Sequence, residues 1–309
     1  MFRGGDVLEA VHDSVPEWVL LLAALVTRLG DVWIVISVAI AASWVLTWGR
    51  ANADSHRQEH ADSSRDAPTH GSACWLVGVV VGGLAAMTAL KYLFALPRPE
   101  LVAATPAVLP TALESTYVST VTVGGYGLPS GHAIGATVAY GLLALTIRTG
   151  TRRVRLAVAA VLVGAISLSR VVLAVHYPAD IVAGIAVGVG YLAAILWLLE
   201  RSPFDRTSTA FASALGLALV AMAVSGSGGR SVTYAALAAG GLAAWSIGRP
   251  RPRSPPTPRT TYHAETATTA LALLAGLVVL EGGPMTVVPA AALGALAIAP
   301  ALVVPRWST

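Results

Sequence analysis

The sequence predicts an all-α protein, a polytopic bundle of transmembrane helices. Of its 309 residues, 55% are hydrophobic and only 12% are charged, about half the charged fraction of a typical soluble domain. Residues 32–49 and 73–90 each run for 18 positions without a charged side chain, which is enough for a helix to cross a bilayer core. Segments of about ten residues that alternate polar and apolar positions, as transmembrane barrels require, are not found.

Ten apolar segments mark the predicted helices in order along the chain. The first is short and is bounded by Arg28 and Asp31, so a shallow or re-entrant helix is an alternative to a full crossing there. The last two are rich in alanine, glycine and proline. The segments cover residues 16–29, 31–48, 73–95, 130–148, 154–175, 178–199, 209–226, 231–247, 267–281 and 285–304.

The basic residues predict the orientation of these helices, because cytoplasmic loops carry an excess of lysine and arginine. If the amino terminus is cytoplasmic and every segment crosses, 15 of the 20 basic residues lie on the cytoplasmic side. The net charge of +4 does not indicate nucleic-acid binding, since the arginines are spread over short loops between apolar segments. The five basic residues left on the outer side are Arg28, Lys91, Arg98, Arg170 and Arg230.

Six chemically active side chains are predicted on this outer face, although basic residues are disfavoured there. Lys91 is the only lysine of the chain and lies near the end of an apolar segment, where a charge in the bilayer is costly. Taken singly, each residue has an ordinary explanation, such as a lysine that snorkels to the interface or a histidine that lies in it. Together they favour a binding site for a polyanion such as phosphate. The six are Lys91, Arg98, His132, Arg170, His176 and Asp180.

Two prolines predict how helices begin beside these residues. Pro129 suits the first turn of a helix that carries Ser130, Gly131 and His132. The unpaired N–H groups of that turn would face an anion, and a glycine allows the backbone to approach it closely.

Pro178 is suited in the same way to begin the helix that follows His176. Asp180 would then lie in the first turn, where its carboxylate can accept a hydrogen bond from one ring nitrogen of His176. The other ring nitrogen would remain free to attack a substrate.

These clusters resemble the three motifs of the membrane-bound type-2 phosphatidic acid phosphatases, or lipid phosphate phosphatases, which share a superfamily with the vanadium haloperoxidases. The motifs are a lysine followed after six residues by Arg-Pro, the run Pro-Ser-Gly-His, and Ser-Arg followed by a histidine and an aspartate. Spacing and order agree throughout, and the resemblance covers roughly residues 16–200. The eleven matching positions are Lys91, Arg98, Pro99, Pro129, Ser130, Gly131, His132, Ser169, Arg170, His176 and Asp180.

The resemblance implies a phosphatase that acts through a phosphohistidine intermediate. In it, His176 would be the nucleophile, Asp180 would orient that histidine, and His132 would protonate the leaving group. No metal ion or other cofactor is expected, because three fixed cations can stabilise the transferring phosphoryl group. The phosphate-binding set that the resemblance implies is Lys91, Arg98, Ser130, Gly131 and Arg170.

The expected substrate is a lipid phosphate or a prenyl diphosphate, bound at the outer face of the cell membrane while its tails stay among the membrane lipids. Two alternatives remain open at this stage. One is a phosphatase or phosphotransferase that acts on a water-soluble phosphoester. The other is a membrane scaffold or transporter without catalytic activity.

Three regions are expected along the chain. Residues 1–15 would be a cytoplasmic or surface segment, either a weakly amphipathic helix or a solvated tail. Residues 16–207 would form a phosphatase-like core of six helices, in which the long connection 97–129 could serve as a lid. Residues 208–309 would add about four transmembrane helices, and their small residues favour close packing or homo-oligomerisation over a second active site.

Overall fold

The computed structural model of the chain describes residues 3–58, 73–226, 229–248 and 284–299. Throughout these ranges the regular structure is helical, which confirms the predicted all-α polytopic fold. The predicted segment 267–281 lies outside the described residues. The helices are α1 (Gly5–Ser14), α2 (Glu17–Thr27), α3 (Val32–Gln58), α4 (Trp75–Phe94), α5 (Thr111–Val121), α6 (Gly131–Thr146), α7 (Arg152–Val172), α8 (Pro178–Arg201), α9 (Arg206–Ser225), α10 (Gly229–Gly248) and α11 (Pro284–Leu296).

Within the described ranges, five helices are long and apolar enough to cross a membrane: α3, α4, α7, α8 and α9. Helix α6 is also apolar but has only 16 residues. Each of these helices overlaps one of the apolar segments predicted from the sequence, although α3 continues past the predicted end at residue 48 to Gln58. The reason is that a continuous apolar run satisfies both the bilayer and the helix, whose backbone hydrogen bonds are all internal.

Helices α1 and α2 form a bent pair at the amino terminus, with an angle of 119° between α1 and the stretch Glu17–Gly30. Both ends of this pair lie beside the same end of helices α7 and α8. At the start, Arg3 forms an ion pair with Asp180, and at the end, Thr27 accepts a hydrogen bond from Arg170. This arrangement favours the re-entrant alternative for the first apolar segment.

The position of Arg3 corrects the count of basic residues. That count assumed that the first segment crosses and so placed Arg3 opposite Asp180, whereas the two side chains are 3.0 Å apart. With Arg3 moved to the face of Asp180, the sequence predicts 14 of the 20 basic residues on the opposite face. The excess that predicts the orientation therefore remains.

The chain divides into two compact units, Met1–Ile36 with Ala86–Ala194 and Ser37–Ala85 with Ile195–Thr309. Each unit is a set of residues that pack densely among themselves. The boundary predicted at residue 207 concerns the extent of the phosphatase-like region, and it stays a prediction.

In the first unit, the long connection between α4 and α6 contains helix α5, which packs against α2 and the end of α7. Tyr117 and Val121 of α5 are buried in one apolar cluster with Leu20 of α2 and Leu173 at the end of α7. The Tyr117 hydroxyl also donates a hydrogen bond to the Ala104 carbonyl oxygen at 2.9 Å. The connection is therefore anchored, while its predicted role as a lid remains a prediction.

In the second unit, helices α9, α10 and α11 pack together through small residues. A side-chain carbon at Gly240 would collide with the Ala291 carbonyl, and one at Gly241 would collide with the ring of Phe211. Glycine at these positions lets the helix backbones approach closely, as expected for a tail built for packing.

Candidate active site

The third motif is formed by the turn between α7 and α8. The Arg170 carbonyl at the end of α7 accepts hydrogen bonds from the backbone N–H groups of Val175 and His176 at 3.1 and 3.2 Å. Helix α8 begins at Pro178, as predicted, and Asp180 lies in its first turn. The Oδ2 atom of Asp180 is 3.3 Å from Nδ1 of His176. The predicted pairing of the histidine with the carboxylate is therefore present in the structure.

Arg98, from the first motif, lies against the other ring nitrogen of His176. Its Nη1 atom is 3.0 Å from Nε2 of His176 and donates to the Val175 carbonyl at 2.9 Å. A guanidinium group can only donate, so Nε2 must be the acceptor. The ring proton is consequently on Nδ1, where the Asp180 carboxylate accepts it.

The surroundings of His176 also keep its ring neutral. Burial lowers the pKa of His176 well below the usual 6.5, and the nearby positive groups of Arg98, Lys91 and Arg170 lower it further. These three cations come from separate parts of the chain, yet each is close enough to act on His176. The structure thus brings together the cations that the sequence singled out around the predicted nucleophile.

The second motif begins helix α6. The helix starts at Gly131, two residues later than predicted from Pro129, and Ser130 is its N-cap in an extended conformation. The extended backbone of Ser130 delays the start of the helix, and the Ser130 N–H donates to the Asp180 carbonyl at 2.9 Å. A side-chain carbon at Gly131 would lie 2.5 Å from Met87 Sδ and 3.5 Å from Lys91 Cε. Glycine therefore brings the start of α6 close to Lys91.

Two buried polar atoms of the predicted phosphate-binding set are unsatisfied. Among the described residues, no group accepts from or donates to the Ser130 hydroxyl or accepts from Nε of Arg170. Ser130 has no solvent exposure and Arg170 is 2% exposed. An unsatisfied buried donor is costly, so such atoms call for an explanation. A bound anion would provide the missing acceptor for both.

The remaining cation of the set, Lys91, donates from Nζ to the carbonyl oxygens of Tyr126 and Gly127 at 2.7 and 3.3 Å.

Within the described ranges, no group of three or more histidine, cysteine, aspartate or glutamate side chains is arranged to hold a metal ion. The expectation that no cofactor is needed stays a prediction.

Two residues that contact the site were not found from the sequence. The first is Asp31, whose Oδ1 atom lies 3.2 Å from Nε2 of His132. Burial acts to raise the pKa of the Asp31 carboxyl, but the hydrogen bonds and charges of His132 and Arg28 outweigh it and lower this pKa below 3.8. In the sequence, Asp31 served only to mark the end of an apolar segment. The predicted position of this stretch on the outer face, with Arg28, was the available signal.

The second is Arg3, whose Nη1 atom is 3.0 Å from Oδ1 of Asp180. Its Nη2 atom donates to the Pro97 carbonyl at 2.6 Å, and its guanidinium lies 4.4 Å from the centre of the Tyr177 ring. No sequence signal pointed to this residue, because the assumed crossing of the first segment placed it on the opposite face.

Residues 72–204 match the family described as the PAP2 superfamily. The chain has no match among curated proteins or solved structures. The matched range includes all eight predicted site residues, whereas Arg3 and Asp31 lie outside it. The superfamily suggests phosphatase activity on phosphoesters. The match over residues 72–204 confirms, at the level of that superfamily, the resemblance to the type-2 phosphatidic acid phosphatases.

Proposed function

We propose that the protein is a metal-independent phosphatase that hydrolyses a lipid phosphate or prenyl diphosphate at the outer membrane face through a phosphohistidine. The observation that carries this proposal is the environment of His176. Its Nδ1 atom lies 3.3 Å from the Asp180 carboxylate and its Nε2 atom lies 3.0 Å from Arg98. A neutral imidazole with its lone pair beside a phosphate-binding cation is arranged for nucleophilic attack on phosphorus.

In the first half-reaction, a phosphate oxygen takes over the hydrogen bond that Arg98 donates to His176, which frees the Nε2 lone pair. Nε2 then forms a bond to phosphorus while the bond from phosphorus to the leaving oxygen breaks. His132 gives its proton to that oxygen. The Asp180 carboxylate stabilises the positive charge that develops on the phosphorylated ring.

In the second half-reaction, His132 accepts a proton from a water molecule as that water attacks phosphorus. The bond between phosphorus and Nε2 breaks, and its electron pair returns to His176. Inorganic phosphate leaves, and both histidines regain their starting protonation states.

A proton donor among so many cations needs a compensating negative charge. Asp31 supplies one, at 3.2 Å from Nε2 of His132, and a bound phosphate supplies another. We assign Asp31 the role of holding His132 so that its Nδ1 atom carries the proton to be transferred.

The substrate phosphate would be held by Lys91, Arg98 and Arg170 with help from Ser130 and the α6 N-terminus. Three cations can neutralise the charge that spreads over the phosphoryl oxygens, which is the main requirement of this chemistry. The Ser130 hydroxyl and the Arg170 Nε atom, unsatisfied in the described part of the chain, would both donate to these oxygens.

Apolar side chains exposed beside the site support a lipid substrate. Tyr92, Leu93 and Phe94 are 42%, 62% and 51% exposed at the end of α4, directly after Lys91. Such residues suit a site that opens toward lipid and lets the substrate tails remain in the bilayer. The excess of basic residues on the opposite face supports an outward-facing site.

The test is phosphate release by the purified protein in detergent with EDTA, using phosphatidate, a prenyl diphosphate and a soluble phosphomonoester. We expect activity on a lipid substrate, loss of activity in His176→Ala, and full activity in the matched control His12→Ala. Hydrolysis of the soluble ester alone would favour the soluble-substrate alternative. A folded protein that releases phosphate from none of them would favour the scaffold or transporter alternative.

A further inference from the structure

The ion pair between Arg3 and Asp180 is buried. The side chain of Asp180 has no solvent exposure and that of Arg3 is 10% exposed. Surface ion pairs are weak because water screens them, but a buried carboxylate in its ionised form is costly unless a cation accompanies it. Arg3 therefore stabilises the negative charge of Asp180, which would be unfavourable without a neighbouring cation.

The backbone around Arg3 is held in an unusual shape that delivers its side chain to the site. Arg3 and Gly4 both have φ of 84°, a left-handed conformation that is strained for any residue with a side chain. The Arg3 carbonyl accepts a hydrogen bond from the Ala179 N–H at 3.3 Å. Farther along α1, Leu8 is 1% exposed and packs in a cluster with Val171 and other apolar residues. The amino-terminal segment is thus anchored at this site.

The two oxygens of Asp180 have different partners. Oδ1 faces Arg3, while Oδ2 faces Nδ1 of His176 at 3.3 Å and accepts from the Tyr177 N–H at 3.1 Å. An ionised carboxylate requires the His176 proton to be on Nδ1. A protonated carboxyl could instead donate to Nδ1 and leave the ring proton on Nε2. In that tautomer Nε2 has no lone pair with which to attack phosphorus.

We propose that Arg3 is a positioning residue of the active site, which keeps Asp180 ionised and thereby holds the His176 proton on Nδ1. This inference rests on the proposed function, in which Nε2 of His176 is the nucleophile. It assigns to the first residues of the chain a part in the reaction, although they lie outside the region that matches the superfamily. Arg3 acts through Asp180 and does not contact the phosphate.

Among the described residues, the cations that act on His176 or Asp180 besides Arg3 are Lys91, Arg98 and Arg170. In the proposed mechanism these three bind the phosphate dianion, which neutralises their positive charges, whereas the ion pair of Arg3 with Asp180 remains. His132 also acts on His176 and protonates the leaving group, and the ring of Tyr177 lies against Arg3.

The experiment compares Arg3→Gln, Arg3→Lys and the exposed control Glu9→Gln with the wild type, by measuring kcat and KM across the pH range in which histidine titrates. Glutamine can still form hydrogen bonds but carries no charge. We expect Arg3→Gln to lower kcat near neutral pH by about 10–100-fold, as for outer partners that orient metal-bound histidines, with a smaller change in KM. The loss should shrink as pH rises, because Asp180 then ionises without Arg3. Arg3→Lys should retain most of the activity.

Thermal unfolding of each variant, measured alongside, separates positioning from a structural role. Wild-type kinetics in Arg3→Gln would overturn the inference. So would a loss of kcat that is the same at every pH and is shared by Arg3→Lys. His176→Ala is included so that the two proposals can fail separately. An inactive wild type, or an active His176→Ala, would overturn both the proposed function and this inference. If the enzyme needs His176 but Arg3→Gln is unaffected, only this inference is overturned.

Discussion

The Nε2 atom of His132 lies 3.2 Å from Oδ1 of Asp31, a contact between residues 101 positions apart in the chain. It parallels the contact of His176 with Asp180, but it uses the opposite ring nitrogen. The nitrogens left for chemistry are therefore Nδ1 of His132 and Nε2 of His176. Each of the two histidines is oriented by its own carboxylate, as expected for a pair with separate acid and nucleophile roles.

Asp31→Asn should slow the hydrolysis of an alkyl phosphate, because it makes His132 a weaker proton donor to the leaving group. The amide cannot balance the positive charge of protonated His132, so we expect kcat to fall by about 10–100-fold. A nitrophenyl phosphate, whose leaving group needs no protonation, should be much less affected. The measurement is kcat for both substrates, with the exposed residue Glu114→Gln as a matched control. Equal losses of kcat on both substrates would show that His132, oriented by Asp31, is not the general acid.

Ser130→Ala should weaken phosphate binding without weakening the fold. The buried Ser130 hydroxyl has no partner among the described residues, so its removal costs no hydrogen bond and is neutral or stabilising. A hydrogen bond to a charged group contributes about 1.5–3 kcal/mol, so the inhibition constant of inorganic phosphate should rise about 10–100-fold.

Thr137→Val is the matched control for this prediction. Its hydroxyl is also buried without a partner in the described part of the chain, but it is not assigned to phosphate binding. Both variants should melt at or above the wild-type temperature, and only Ser130→Ala should bind phosphate less well. A destabilised Ser130→Ala, or equal inhibition constants in the two variants, would contradict the assigned role of this hydroxyl.

The spanning helices could be predicted because length and hydrophobicity suffice to define them. Helix α5 could not, since its eleven residues include Glu114 and several threonines and serines without a continuous apolar run. Its stability comes from packing, with Tyr117 and Val121 buried against α2. Tertiary contacts of this kind leave no periodic signal in a short segment.

The residues of the site were predictable where they lie in motifs and not where they depend on the path of the chain. His176 and Asp180 are four residues apart in the third motif, and the turn that leads into α8 brings them together. Arg3 reaches Asp180 because α1 and α2 bend back to the same face, and the assumed crossing of the first segment placed it on the opposite face. Asp31 already belonged to the outer face in the sequence prediction, but it lies 101 positions from His132 and no motif links the two residues.

The pH profile should show a nucleophile that stays neutral in mild acid. Burial and the nearby cations lower the pKa of His176 well below 6.5, so the ring remains unprotonated as pH falls through that value. We expect the acid limb of kcat/KM that reports His176 to lie below pH 6.5. Lys91→Met, which removes one of these cations, should raise this limb as well as KM. An acid limb near 6.5 that Lys91→Met leaves unchanged would contradict the assignment.

Cysteine labelling should place the amino-terminal segment on the same face as the active site. Glu9 is exposed on α1, and Thr149 is exposed in the connection between α6 and α7, at the end of α6 remote from His132. The native Cys74 is buried and should not interfere. In intact cells, a membrane-impermeant maleimide should label Glu9→Cys, whereas Thr149→Cys should react only after lysis. A first segment that crosses the membrane would instead protect residue 9 together with residue 149. Labelling of Thr149→Cys alone in intact cells would indicate that the active site faces the cytoplasm.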